Sequence, residues 1–276
     1  MQPTHGQASD SGNGNGNDGA IEAGTAPING IDLYYQARGG GEGAPLVLLH
    51  GFTGAGGDWV HVFDLAALGR RTRLIVPDAR GHGRSTNPAG SITHRQCALD
   101  TLALLDRLGV GRFKAVGLSL GGNTLLHLAT MQPARVEAMV LVSATPYYPA
   151  PARAIMGGVD ADAQPPEAWA EMRGRHAHGD DQIRALWRQA NAFKDSYDDL
   201  TFTPPHLATI AARTLIVYGD RDPLYPVELA LEMYRAIPRA ALWVVPGGGH
   251  GPIFDALWAP DIKDHFARAA VQFLDG

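Results

Sequence analysis

The sequence predicts an α/β fold in which a mostly parallel sheet is flanked by helices and carries a helical insert. Short apolar runs alternate with stretches of helical periodicity, which is the pattern of strands joined by helical crossovers. Hydrophobic residues make up 45% of the 276 residues, enough to bury one large core without disulfide or metal support. One long stretch, residues 146–205, interrupts the alternation with two consecutive helical patterns.

The first 24 residues are rich in Gly, Asn, Ser and Asp. They offer too little apolar surface to offset the entropy of ordering, so residues 1–24 are expected to form a disordered tail. The first strand is predicted over residues 31–36, where polar and apolar residues alternate, after a turn at Asn29-Gly30. We expect this strand at an edge of the sheet.

The buried strands are short, continuous apolar runs, as expected of strands covered on both faces. They are predicted over residues 46–49, 74–77, 113–118, 138–142, 214–218 and 242–245. Helices are predicted between and after them, over residues 93–108, 120–131, 227–236 and 262–274. The core of the fold is therefore expected to comprise residues 25–145 and 206–276.

The insert at residues 146–205 lies between two predicted strands and contains helical patterns over 167–175 and 181–194. An unusually long connection at one end of a parallel sheet is commonly functional. We therefore expect a helical cap over the site. Three aromatic side chains are expected to pack this cap and to form part of a substrate-pocket wall: Trp169, Trp187 and Phe193.

Composition excludes several classes of function. The 23 basic and 28 acidic residues give a net charge of −5, which disfavours a nucleic-acid partner.

No apolar run of membrane-spanning length and no signal peptide is visible, so a cytoplasmic protein without a membrane partner is expected. The single Cys97 forms no internal disulfide, and His176 and His178 lack a third ligand; no metal and no cofactor are expected.

The strongest chemical signal is Gly117-Leu118-Ser119-Leu120-Gly121, a G-x-S-x-G motif between a predicted strand and a predicted helix. A serine on such a strained turn projects its hydroxyl, and the flanking glycines leave the space that the turn needs. The helix N-terminus behind the serine favours developing negative charge. These features predict a nucleophilic Ser119.

Further segments follow predicted strands in the same way. His50-Gly51-Phe52 follows one strand, Asp222 lies just after another, and His250 lies in the glycine-rich loop after the last. Over roughly residues 27–275, these segments and the serine motif resemble the α/β-hydrolase family. The resemblance implies an α/β-hydrolase sheet and a family order of nucleophile, acid and histidine.

The resemblance also implies the role of each residue. Ser119, Asp222 and His250 would form a catalytic triad, in which the histidine acts as base and acid and the aspartate orients it. The family pattern Gly-x-x-Asp places the acid on Asp222, although Asp220 is close enough in sequence to be an alternative. The backbone N–H groups of Phe52 and Leu120 would form the oxyanion hole.

The serine nucleophile distinguishes this chain from the haloalkane dehalogenase and soluble epoxide hydrolase branches, which resemble it but carry an aspartate there. The remaining branch is that of serine esterases and lactonases with a small cap. We expect cleavage of carboxylic esters or lactones of small to medium acyl size through an acyl-enzyme, because the cap is apolar. C–C bond hydrolysis of aromatic meta-cleavage products and cofactor-free perhydrolysis stay open, whereas a non-catalytic ligand-binding member is disfavoured by the complete triad.

Overall fold

Eight strands form a single sheet in the computed structural model, which describes residues 21–41, 43–254 and 261–276. The strands are β1 (Ile21–Ile28), β2 (Ile31–Arg38), β3 (Leu46–Leu49), β4 (Leu74–Pro77), β5 (Phe113–Leu118), β6 (Val136–Val142), β7 (Arg213–Gly219) and β8 (Ala240–Val245). Their order is β1-β2-β4-β3-β5-β6-β7-β8. The strands from β3 to β8 run parallel, whereas β2 pairs antiparallel with β1 and β4. The predicted fold class is confirmed.

Helices pack against both faces of the sheet. They are α1 (Leu65–Arg71), α2 (His94–Arg107), α3 (Leu120–Met131), α4 (Ala150–Gly157), α5 (Pro166–Arg175), α6 (Gly179–Ala192), α7 (Pro204–Leu207), α8 (Val227–Ala236) and α9 (Ile262–Asp275), with 3-10 turns at Gly56–His61 and Phe193–Asp195. None of the helices in the described ranges is both long enough and apolar enough to span a bilayer.

Successive residues of the parallel strands pack into two separate apolar layers, one on each face of the sheet. In β3, Val47 packs into the layer formed with α2, α3 and α8, whereas Leu48 packs into the layer formed with α1 and α9. Ala115 and Val116 divide in the same way in β5. Because side chains alternate between the faces of a strand, a strand covered on both faces needs apolar residues at every position. This explains the continuous apolar runs.

The N-terminal boundary differs from the prediction. Residues 21–24, which the composition assigns to the tail, form the first half of β1, and their main chain pairs with residues 35–38 of β2. Main-chain pairing needs no apolar side chain at these positions, which is why composition does not reveal it. β2 is therefore an inner strand rather than the predicted edge strand. The rest of the predicted tail, residues 1–20, lies outside the described residues.

The β1–β2 hairpin turns at the predicted position. Asn29 and Gly30 both have positive φ, 47° and 79°, as a tight two-residue hairpin turn requires. The long connection between β6 and β7 contains α4, α5, α6 and α7, two more helices than the sequence predicts. Proline stands at the first turn of α4, α5 and α7, where its missing N–H costs nothing.

Candidate active site

Ser119 lies at the sharp turn between β5 and α3, with φ 49° and ψ −106°. Residues other than glycine rarely adopt this backbone conformation, so neighbouring groups must hold the turn in place. The Ser119 N–H donates to the carbonyl oxygen of Val142 on β6 at 2.8 Å. A Cβ on Gly117 would overlap the backbone of Gly121, and a Cβ on Gly121 would overlap Leu49. The two glycines of the motif are therefore sterically required.

His250 lies between the serine hydroxyl and a carboxylate. Its Nε2 is 2.9 Å from Ser119 Oγ, and its Nδ1 is 2.8 Å from Asp222 Oδ2. The Asp222 side chain is fully buried, and its Oδ1 accepts the backbone N–H groups of Leu224 at 2.8 Å and Tyr225 at 3.0 Å. The carboxylate thus accepts a hydrogen bond from the Nδ1–H group of His250, which leaves the Nε2 lone pair available to take the hydroxyl proton of the serine.

Asp220, the alternative acid, has a different partner. Its Oδ1 accepts the backbone N–H of Gly247 at 2.6 Å. This bond joins the end of β7 to the glycine-rich loop that carries His250. Asp220 thus braces the loop, while Asp222 contacts the imidazole.

Phe52 and Leu120, the two residues predicted to supply the oxyanion donors, line the same cavity as Ser119. In the described part of the chain, neither the Phe52 N–H nor the Leu120 N–H donates to a protein acceptor. Two bonds of His50 position the loop that carries Phe52: its Nδ1–H donates to the carbonyl oxygen of Gly51 at 2.8 Å, and its Nε2 accepts the N–H of Ala79 at 2.9 Å. His50 is therefore structural, and both main-chain donors are available to a ligand.

His176 and His178 each contact main-chain groups. His176 Nδ1 accepts the N–H of Gly83 at 2.9 Å, and its Nε2–H donates to the carbonyl oxygen of Thr53 at 3.1 Å. Burial lowers the pKa of His176 to about 4. His178 Nε2 donates to the carbonyl oxygen of Arg84 at 3.0 Å. Within the described ranges, no group of three or more His, Cys, Asp or Glu side chains is arranged so that it could hold a metal ion.

A cavity of about 220 Å³ lies in front of Ser119. Its walls are predominantly apolar, and about half of them come from the connection between β6 and β7. The lining residues are Phe52, His94, Ser119, Leu120, Tyr148, Ile155, Met156, Val159, Ala190, Phe193, Leu224, Tyr225 and His250. An apolar pocket with a few convergent polar groups is the usual form of a small-molecule site.

Of the three aromatic side chains predicted for the pocket, only Phe193 lines this cavity. Its ring contacts Phe52, with centroids 5.1 Å apart. Trp169 and Trp187 instead pack edge to face between α5 and α6, with centroids 4.5 Å apart, and the Arg184 guanidinium lies over Trp169. The pocket prediction is corrected for both tryptophans: helical periodicity shows that a residue is buried but not which neighbour buries it.

Three polar lining residues are missed by the sequence analysis: His94, Tyr148 and Tyr225. The Tyr225 ring packs edge-on against His250, with centroids 5.0 Å apart. Burial raises the pKa of the Tyr225 hydroxyl above its ordinary value, so it stays protonated at neutral pH. Its position three residues after Asp222 is the one available sequence signal, since His94 and Tyr148 belong to no motif.

Comparison with known proteins identifies the family of this chain. A family model described as the alpha/beta hydrolase family matches residues 46–259. The pimeloyl-[acyl-carrier protein] methyl ester esterase of Nitrosomonas europaea is 30% identical over 247 residues, or 77% of this chain and 90% of that protein. The 2-hydroxymuconate semialdehyde hydrolase of Pseudomonas putida is 28% identical, over 85% of this chain and 88% of that protein. The enol-lactonase of Burkholderia xenovorans LB400 is 26% identical with a TM-score of 0.69, covering 91% of this chain and all of that one. The chain belongs to the alpha/beta hydrolase family.

Proposed function

We propose that this protein is a serine hydrolase that cleaves carboxylic esters or lactones of small to medium acyl size through an acyl-enzyme. One observation supports the proposal above all others. A line of hydrogen bonds, 2.8 and 2.9 Å long, runs from the buried Asp222 through His250 to the Ser119 hydroxyl, which faces an apolar cavity. A serine hydroxyl needs such a base to become an effective nucleophile.

Each group has one role in the proposed mechanism. Ser119 Oγ attacks the substrate carbonyl as His250 Nε2 takes its proton, and Asp222 stabilises the resulting imidazolium. The N–H groups of Phe52 and Leu120 donate to the oxyanion of the tetrahedral intermediate. His250 then protonates the departing alkoxide. In the second half of the reaction it deprotonates the water that hydrolyses the acyl-enzyme.

The size and lining of the cavity suit a neutral acyl group of modest size. Its described lining includes no Arg, Lys, Asp or Glu side chain, and its volume is about 220 Å³. The helices of residues 146–205 supply several of the apolar walls, which supports their assignment as a cap. The pimeloyl methyl ester esterase and the enol-lactonase are named for an ester and a lactone substrate.

A second candidate is C–C bond hydrolysis of an aromatic meta-cleavage product. The similarity to 2-hydroxymuconate semialdehyde hydrolase over 85% of this chain favours it. The cavity argues against it, because a ring-cleavage acid carries a carboxylate and no cationic side chain stands among the described lining residues. The ester or lactone assignment therefore fits the site better.

Labelling and turnover test the proposed function together. A fluorophosphonate should modify Ser119 alone, and Ser119→Ala should lose kcat by about 10⁶ on p-nitrophenyl butyrate. Values of kcat/KM for short esters, lactones and a vinylogous diketone acid then separate the two candidates. Labelling at another residue, or full activity in Ser119→Ala, would contradict the proposed mechanism, and a preference for the diketone acid would favour the second candidate.

A further inference from the structure

A second histidine–carboxylate pair lies beside the same cavity. His94 Nδ1 is 2.6 Å from Asp199 Oδ2, and the two side chains are only 2% and 4% exposed. The His94 ring lines the cavity together with Ser119, yet it is not part of the Asp222–His250 line. The proposed mechanism leaves this pair without a function.

Asp199 fixes the tautomer of His94. Its carboxylate accepts the backbone N–H groups of His94 at 2.7 Å and Arg95 at 3.1 Å, the first two residues of α2. The positive end of the helix dipole also stabilises the ionised carboxylate, and so does His127, whose Nε2 is 3.6 Å away. Hydrogen bonding holds the pKa of Asp199 well below its usual range. Because the ionised carboxylate only accepts, His94 carries its proton on Nδ1, and its Nε2 is an acceptor.

The Nε2 atom of His94 has two distant donors. Asn123 Nδ2 and the Tyr148 hydroxyl each lie 3.3 Å away, longer than a normal hydrogen bond of about 2.9 Å. The amide orientation of Asn123 is fixed because its Oδ1 accepts the N–H of Thr145 at 2.8 Å. Burial raises the pKa of Tyr148, so its hydroxyl stays protonated and donates toward Nε2. Its oxygen lone pairs remain able to accept.

The surroundings of the pair select the ligand chemistry. The Phe193 ring packs on both His94 and Tyr148, with centroids 5.4 and 5.8 Å away, so these acceptors lie in an apolar wall. Burial lowers the pKa of His94 and favours the neutral ring. An anionic group is disfavoured here, because it would face a neutral ring with the negatively charged Asp199 carboxylate behind it. The matching partner is a neutral group that donates a hydrogen bond.

We propose that His94 and Tyr148 form a subsite that recognises a hydroxyl group on the acyl part of the substrate. Hydroxyacyl esters or lactones would then be preferred over their alkyl counterparts. This inference rests on the proposed function for the location of the acyl group. His94 and Tyr148 line the same cavity as Ser119, and Asn123, which contacts His94, lies one turn of α3, about 5.4 Å, beyond the serine. The subsite therefore faces the space that the acyl chain would occupy.

Binding without turnover gives the direct test. Ethyl 3-hydroxybutyrate and ethyl 3-methylbutyrate have similar shapes and differ by a hydroxyl in place of a methyl group. Their dissociation constants are measured by calorimetry on Ser119→Ala, alone and combined with Tyr148→Phe or His94→Gln. We expect the ratio of the two constants to shift against the hydroxy ester by about 3- to 10-fold in either combination. Tyr147→Phe is the matched control, because this exposed tyrosine does not line the cavity.

The outcomes separate the subsite from the proposed function. An unchanged ratio in Tyr148→Phe, with a parental circular dichroism spectrum, overturns the subsite even if esters are hydrolysed. Tighter binding of monoethyl glutarate than of either neutral ester also overturns it, since that would mean an anion site. A shifted ratio in a protein that hydrolyses no ester supports the subsite and overturns the proposed function. Tyr148→Phe decides the result even if His94→Gln fails to fold.

Discussion

His176 Nε2 donates a hydrogen bond to the carbonyl oxygen of Thr53 at 3.1 Å, although 123 residues separate the two in sequence. Thr53 has φ 63°, an uncommon and strained conformation for a β-branched residue. It directly follows Phe52, whose N–H is a proposed oxyanion donor. The bond therefore connects the segment between α5 and α6 to the geometry of the oxyanion hole.

Replacement of His176 should impair catalysis without touching the reacting groups. In His176→Gln the loop loses part of its support, so we expect kcat to fall about 10- to 100-fold, with a smaller change in KM. His178→Gln is the matched control, because that histidine lies on the same segment but bonds Arg84 rather than Thr53. Steady-state kinetics on one p-nitrophenyl ester measure both variants. Equal kcat values for the two variants would contradict this role.

The same histidine should make stability depend on pH. Burial lowers the pKa of His176 to about 4, whereas an unfolded histidine titrates near 6.5. Between these values the unfolded chain binds a proton that the folded protein does not, so stability rises with pH. The contribution is fully present above about pH 6.5 and is lost as the pH falls toward 4.

Thermal unfolding from pH 7 to 4.5 measures this effect. The Tm of the parent should fall as the pH falls, and the fall should be smaller in His176→Gln. Some dependence should remain, because burial also lowers the pKa values of His82 and His94. Parallel Tm curves for parent and variant would show that His176 does not titrate differently on unfolding.

Two neighbouring aspartates should have unequal effects on activity. Asp222→Asn should lower kcat by roughly 10⁴, because an amide facing Nδ1 favours the wrong tautomer of His250. Asp220→Asn should stay within about tenfold of the parent, since its amide oxygen still accepts the Gly247 N–H. Kinetics on one ester, with folding checked by circular dichroism, compare the two. The reverse ranking would assign the acid to Asp220.

The sequence predicts which functional residues stand at strand ends, but it does not predict which residues meet only through tertiary packing. Ser119, Asp222 and His250 each follow an apolar run, and parallel strands bring such ends to one edge of the sheet. The structure joins all three by hydrogen bonds. His94 and Asp199 lie 105 residues apart, and neither stands in a motif, so their contact depends on how the β6–β7 connection packs.

Two aromatic residues of the cap, Phe193 and Trp187, have different neighbours. Phe193 lines the cavity, so Phe193→Ala enlarges it and should raise kcat/KM for p-nitrophenyl hexanoate relative to acetate by about tenfold. Trp187 is buried against Trp169 instead, so Trp187→Ala should lower the free energy of unfolding by about 3–5 kcal/mol and leave that ratio unchanged. Ester kinetics and urea unfolding on both variants measure the two effects. A shift in acyl preference with Trp187→Ala that equals the shift with Phe193→Ala would mean that the tryptophan also shapes the pocket.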